Sequence, residues 1–334
     1  MMIKQILLAT SVSLIFLLSL VHYNGEKITE ALKVRSCTTD EVPRGVDARN
    51  ISGTIEVWIA TYSSSVYKFA GDSCTNTKYT SGITGDPHFI NVVSNVVVFT
   101  EHIANKIGII KSDSGTIFEC NNTSINGPDD ISFLNQYSRY FTNYNNAKLG
   151  KVTVSFDPIQ CRFTFYNMPL SNANPTGIDR SSDANGYFVI DQRNRILYKF
   201  QISTGQFTLC ASFNSIPNYV DADDTNDRVW ITFFDGRIRI YNTITCELLH
   251  ETPSLGDRLK DIALMGGNYA VVTWELKPKV SIYNYTQQKW IVTDDWSSEC
   301  GLICSGFGID AISNNYYAVM NSYENKPRFV VGSR

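Results

Sequence analysis

Beyond about residue 40 the apolar positions fall in short runs broken by turn residues. Examples are Val96-Val97-Val98-Phe99-Thr100, Tyr187-Phe188-Val189-Ile190-Asp191, Val229-Trp230-Ile231-Thr232-Phe233 and Ala270-Val271-Val272-Thr273-Trp274. Runs of this length, rich in β-branched and aromatic residues and bounded by Gly, Asn, Asp and Ser, predict β-strands.

A second signal precedes each run. It reads Pro or Gly, then an aliphatic anchor, then a small polar residue. It occurs as Pro43-Arg44-Gly45-Val46-Asp47, Pro87-His88-Phe89-Ile90-Asn91, Pro128-Asp129-Asp130-Ile131-Ser132 and Pro175-Thr176-Gly177-Ile178-Asp179. Pro217-Asn218-Tyr219-Val220-Asp221, the degenerate Leu259-Lys260-Asp261-Ile262-Ala263 and Gly306-Phe307-Gly308-Ile309-Asp310 complete the series. The anchors lie 44, 41, 47, 42, 42 and 47 residues apart, the period of propeller blades.

In six units a cation follows the turn after the run: Lys106, Lys148, Arg195, Arg237, Lys279 and Arg328. Such cations are expected to discourage strand pairing at a hairpin edge, with a recurrent ligand-binding column as the other reading. A third and usually a fourth run then follow, as in Ile196 to Gln201 and Gln206 to Ala211. The expected fold is therefore all-β, a single β-propeller of seven four-stranded blades, with six blades and one degenerate unit as the other count. The last unit stops after three runs. The segment Leu32 to Cys37 is expected to supply its outer strand and close the ring, in the manner of a clasp. A short helix at Ile28 to Val34 is the other reading.

The first 25 residues differ in kind. Lys4 precedes an uncharged apolar run from Ile6 to Val21. This fits a secretory signal and is short against the roughly 20 residues of a membrane span. The bulky Leu18-Ser19-Leu20-Val21 makes a poor cleavage site, so a retained signal anchor is the alternative. The organisation expected is 1–25 signal peptide or anchor, 26–42 linker and closing strand, 43–334 propeller. Either reading puts the propeller in the lumen or outside, secreted or held by a single pass. The only membrane contact expected is through that segment.

Composition agrees with such a compartment. Sequons stand at Asn50, Asn121, Asn122 and Asn284. Eight cysteines permit disulfides. A bond from Cys37 to Cys300 or Cys304 would staple the ring. The 29 basic and 32 acidic residues give a net charge of −3 without a basic stripe, which argues against nucleic acid as a partner.

The stretch Val98-Phe99-Thr100-Glu101-His102-Ile103-Ala104-Asn105-Lys106-Ile107-Gly108 resembles the repeat of streptogramin (virginiamycin B) lyases, and the Pro-x-Gly-Ile signals also resemble NHL repeats. The resemblance implies a propeller. It implies, for those lyases, chemistry by His and Glu side chains with magnesium. Their motif separates a Glu and a His by one intervening residue. Here Glu101 and His102 are adjacent, so those roles are not carried over.

Chemistry is expected where the first strands begin and the second strands end, at one mouth of the axis. The residues after the anchors are Asp47, Asn91, Ser132, Asp179, Asp221, Ala263 and Asp310, and the strand ends add Glu101, Asn143, Asp191, Glu275 and Asn321. Converging oxygens suit Ca2+ or Mg2+. The same aspartates can instead hold backbone amides, as short acidic side chains do in turns. His88 and His102 are placed on the mouth face, and His250 on an outer strand. No Gly-x-Ser-x-Gly elbow, phosphate loop, zinc-protease motif or dinucleotide fingerprint occurs. Two functions are expected as candidates. One is a binding module for a protein, peptide, glycan or small molecule. The other is a metal-assisted lyase or lactone hydrolase.

Overall fold

A computed structural model describes residues 35–39, 41–51, 54–70, 75–181, 185–223, 225–266, 268–277, 279–295, 305–313, 316–322 and 328–333. At 35–38, 51, 54, 70, 292–295, 305–307 and from 312 onward only the backbone is described. Among these residues the strands form seven four-stranded antiparallel sheets. Their first strands are Pro43–Ile51, Pro87–Val93, Pro128–Asn135, Pro175–Arg180, Pro217–Asp223, Leu259–Leu264 and Ser305–Ser313, taken here as the inner strands of blades 1 to 7. Each inner strand touches the next, and that of blade 7 returns to that of blade 1, so the ring is closed. The expected clasp is present. Arg35–Thr38 pairs antiparallel with Arg328–Ser333 as the outer strand of blade 7.

The repeated sequence signals have local causes. Every inner strand shifts register between its first residues and its anchor, for example between Pro87 and Ile90 and between Pro217 and Val220. Such a bulge leaves backbone groups outside the ladder. A threonine near the end of the second strand takes them up. Thr100 Oγ1 accepts the Phe89 amide (3.0 Å) and donates to the Asp129 carbonyl of the next blade (2.6 Å). Thr142 does the same between Asp130 and Thr176, and Thr232 between Tyr219 and Lys260. The glycine after the hairpin cation is also steric. A Cβ on Gly108 would sit 2.1 Å from the Phe99 ring, and one on Gly150 would sit 2.2 Å from Phe141. These rings lie flat on the third strand and fill the space between blades.

The core is correspondingly a set of layers between blades. One layer joins Val96, Val98, Ile107 and Ile109 of blade 2 to Phe141, Val152 and Val154 of blade 3. Others join blades 3 to 4, 4 to 5 and 5 to 6 in the same way. Trp58, Phe99, Phe141, Phe188 and Trp230 are fully buried, each worth about 1.5–3 kcal/mol or more on an area basis.

Two disulfides add covalent ties between neighbouring blades. Cys120–Cys161 joins the outer strands Thr116–Asn121 and Ile159–Asn167 of blades 2 and 3, with Cα atoms 5.9 Å apart. Cys210–Cys246 joins blades 4 and 5. The expected pairing of Cys37 with Cys300 or Cys304 falls outside the described side chains. No helix among the described residues is long and apolar enough to cross a membrane.

Candidate functional site

The axis is lined by carboxyls, each engaged with the next blade. Asp47 accepts the Val92 amide. Asp179 accepts from Ala222 (2.8 Å), Asp221 from Leu264 (2.7 Å) and Asp310 from Ala48 (2.7 Å). In these four the carboxyl follows the anchor. In Asp130 and Asp261 it precedes the anchor, and they accept from the anchors Ile178 (2.8 Å) and Ile309 (3.1 Å). Six of the seven junctions are thus closed by an aspartate. Between blades 2 and 3 the equivalent residue is Asn91, whose Oδ1 is buried without a hydrogen-bond partner.

Burial and mutual proximity shift these groups. Burial raises Asp47 to about 6 and Asp261 to about 7. Asp130, Asp221 and Asp310 are raised well above the carboxylate range by burial, and neighbouring carboxyls add to it. Five of the six axial aspartates are thus shifted toward their protonated forms while their carboxyls accept backbone amides.

A different group gathers at the mouth, where blade 2 meets blade 3. Gly85 donates to Glu101 (2.7 Å), and Ile103 donates to Asp86 (2.9 Å). These two bonds lock the loop entering the inner strand of blade 2 to the turn after its second strand. The loop presents His88 and the turn presents His102. Asp129 enters from blade 3. His88 Nδ1 pairs with Asp129 Oδ1 at 2.7 Å, and His102 Nδ1 lies 4.0 Å from the same oxygen. One ligand atom from each of the three lies within 4.8 Å of the others.

Aromatic rings frame this group. The Phe89 and Tyr219 rings meet across the axis with centroids 5.1 Å apart, and the Tyr219 hydroxyl is 3.5 Å from Asp129 Oδ2. Tyr144 stands 6.0 Å from the His102 ring. Arg44 covers the exposed Tyr62 at 4.7 Å, and Lys260 covers Tyr219 at 5.0 Å. Ile103, beside His102, is 65% exposed and gives the rim an apolar edge.

Burial pushes the His88 imidazole below its ordinary value despite the pull of Asp129. For Asp129 burial acts upward, but the nearby His88, His102 and Lys260 outweigh it and hold the carboxyl low.

Of the residues singled out from sequence, Asp47, Asp179, Asp221 and Asp310 share the axis and bind backbone. Asn91 is beside them. Glu101 caps a loop and is raised to about 8 by burial and by Glu119. Asn143 and Asp191 also hold loop amides, at Asn126 and Asn174. His102 is at the mouth. His250 lies on an outer strand of blade 5, against Tyr283. Asn50, Asn121 and Asn122 are exposed. Asn284 is buried, and its Nδ2 donates to the Tyr269 hydroxyl (3.1 Å). Asp129, Asp130, Asp261 and Tyr219 were not among the expected site residues.

The donor set bears on the cation. Two imidazole nitrogens and one carboxylate match borderline transition ions better than Ca2+ or Mg2+, which take oxygen. The Glu-x-His arrangement of the lyases is not reproduced around Glu101 and His102, so no step through magnesium is derived.

No family model matches the chain, and no curated protein matches it. Solved structures do. A catalytically inactive virginiamycin B lyase from Staphylococcus aureus with quinupristin is 19% identical, with a TM-score of 0.75, covering 91% of this chain and 99% of that one. The selenomethionine form of the same lyase is 19% identical at 0.74, covering 91% and 100%. A streptogramin B lyase structure is 17% identical at 0.74, covering 90% and 98%. At these identities the likeness is one of fold.

Proposed function

We propose that the chain is an extracytoplasmic binding propeller whose ligand, a peptide, protein or glycan, sits over the mouth between blades 2 and 3. One observation carries the reading. The axial aspartates are spent on neighbouring blades, whereas His102 keeps an unpaired buried Nδ1 beside the His88–Asp129 pair, under an aromatic and apolar rim. The Phe89–Tyr219 pair closes the floor, which suits a surface partner better than a deep substrate. The apolar N-terminal run and the two disulfides support an oxidising, extracytoplasmic setting.

The test uses full-length protein secreted from a eukaryotic host and probed on glycan and peptide arrays. A specific ligand is expected, with signal reduced at least tenfold (~1.4 kcal/mol) by Tyr144→Ala or His102→Ala. Lys111→Ala, on the other face, should leave it unchanged. Binding that ignores both mouth substitutions overturns the proposal.

The metal-assisted lyase or lactone hydrolase is the second reading, favoured by the likeness to a lyase solved with quinupristin. Incubation with quinupristin, followed by chromatography and mass spectrometry, separates the two. A ring-opened product moves the assignment to an enzyme. Intact quinupristin keeps it a binding module.

A further inference from the structure

The inner ring is closed by carboxyl-to-amide bonds at six junctions and lacks one between blades 2 and 3. The polar cluster at the mouth straddles that same junction. His88 and His102 belong to blade 2 and Asp129 to blade 3. We propose that these three side chains hold one divalent transition-metal ion of the zinc class, and that the ion joins blade 2 to blade 3 where the aspartate is missing.

Geometry is the first support. Zinc bonds of about 2.0–2.2 Å at tetrahedral angles separate ligand atoms by roughly 3.4 Å. The observed separations from Asp129 Oδ1, 2.7 Å to His88 and 4.0 Å to His102, bracket that value. Side-chain shifts of roughly an ångström or less would bring the three ligand atoms, already within 4.8 Å of one another, around an ion. The orphaned atom is the second support. His102 Nδ1 is buried and lacks a hydrogen-bond partner, an arrangement that costs free energy unless something else is bound, while His88 Nδ1 already pairs with Asp129 Oδ1 across the junction. A third is steric. A Cβ on Gly127, which has φ +62°, would lie 3.2 Å from His102 Cε1 and 2.4 Å from Asn145 Nδ2. A side chain at Gly127 would clash with Asn145 and press on the edge of the His102 ring. The Tyr219 hydroxyl on Asp129 Oδ2 is the outer partner that orients the carboxylate.

Three protein ligands leave a fourth position open toward the rim. The ion therefore links blades below and presents a coordination site above. It does not depend on the ligand proposed for the mouth, and its failure would leave array binding intact.

The experiment uses the full chain stripped with EDTA and then titrated with Zn2+ or Co2+. Three results are expected: one ion per chain, a Tm that rises with the logarithm of free Zn2+, and a strong visible Co2+ band of four-coordinate type. His102→Ala changes a half-buried side chain and should fold. It should abolish the band and weaken Zn2+ by more than the roughly 10–100-fold typical of an outer-shell loss. Gly127→Ala should weaken Zn2+ with all three ligands intact. His250→Ala, remote from the mouth, should bind as the native chain does. Absence of stoichiometric Zn2+ and Co2+, or a band that survives both His88→Ala and His102→Ala, overturns the inference.

Discussion

The junction between blades 2 and 3 and the one between blades 5 and 6 solve the same problem with different parts. At the second, Asp221 reaches across to the Leu264 amide, and Thr232 and Asn218 bond the carbonyls of Lys260 and Leu259. The tie is local, polar and close to the axis. At the first, Thr100 reaches the Asp129 carbonyl, but Asn91 supplies no carboxylate and its Oδ1 is unpaired. That junction is held instead by the apolar layer around Phe141, by Cys120–Cys161 at the outer edge, and by the histidine pair at the mouth. A repeat can thus give up a structural residue in one unit and hold that junction by other contacts.

The largest effect that would break this comparison bypasses both junctions. Removing Arg35–Thr38 strips blade 7 of its outer strand and should abolish cooperative unfolding, read by calorimetry. Next in size is the disulfide. Cys120→Ser with Cys161→Ser should cost about 2–4 kcal/mol, and more than Cys210→Ser with Cys246→Ser, because the latter junction keeps Asp179 on Ala222. Denaturant titration of both pairs tests the ranking. Asp221→Ala should cost about 1–3 kcal/mol by leaving a buried amide unpaired. Asn91→Ala should fall within about 1 kcal/mol. Equal losses would remove the distinction between the junctions.

The ring also makes a prediction in pH. Asp47 and Asp261 keep a proton in the folded state up to about 6 and about 7, whereas the unfolded chain releases it near 3.9. Unfolding releases protons in that interval, so this contribution is full below pH 4. It is lost as pH rises through about 6 for Asp47 and about 7 for Asp261. By these shifts the two groups account for roughly 3 and roughly 4 kcal/mol. His88, lowered by burial, acts in the opposite sense below its ordinary value. Urea midpoints should fall from pH 5 to pH 8, and Asp47→Asn with Asp261→Asn should flatten the slope. A midpoint that climbs over this range would contradict the ring as described.

Most of the fold was legible in the sequence because its signals are consequences of one bulge repeated around a circle. The anchors mark the bulge, the threonines mark its hydrogen bonds, and Gly108 and Gly150 mark where a ring must lie flat. Even the clasp was legible, displaced by a few residues from Leu32 to Cys37. The site was less so, for two reasons. The bulge interrupts the strict alternation of a strand, so residues on both sides of the anchor face inward. Reading one position per unit finds Asp47 and Asp221 and overlooks Asp130 and Asp261. Asp129 meets His88 only because consecutive blades bring positions 41 residues apart side by side. Nothing local to either residue announces that meeting. The pairing of Cys120 with Cys161 is of the same kind, since it depends on which outer strands become neighbours.

The clasp strand fixes the face from which the chain enters the disc. Arg35 pairs with Val331 and Thr38 with Arg328, so the chain enters the clasp at the end where the last strand finishes. That end belongs to the face opposite the one on which the inner strands begin. Arg35 therefore lies on the underside of the disc, while His88, His102 and Asp129 open on the other face.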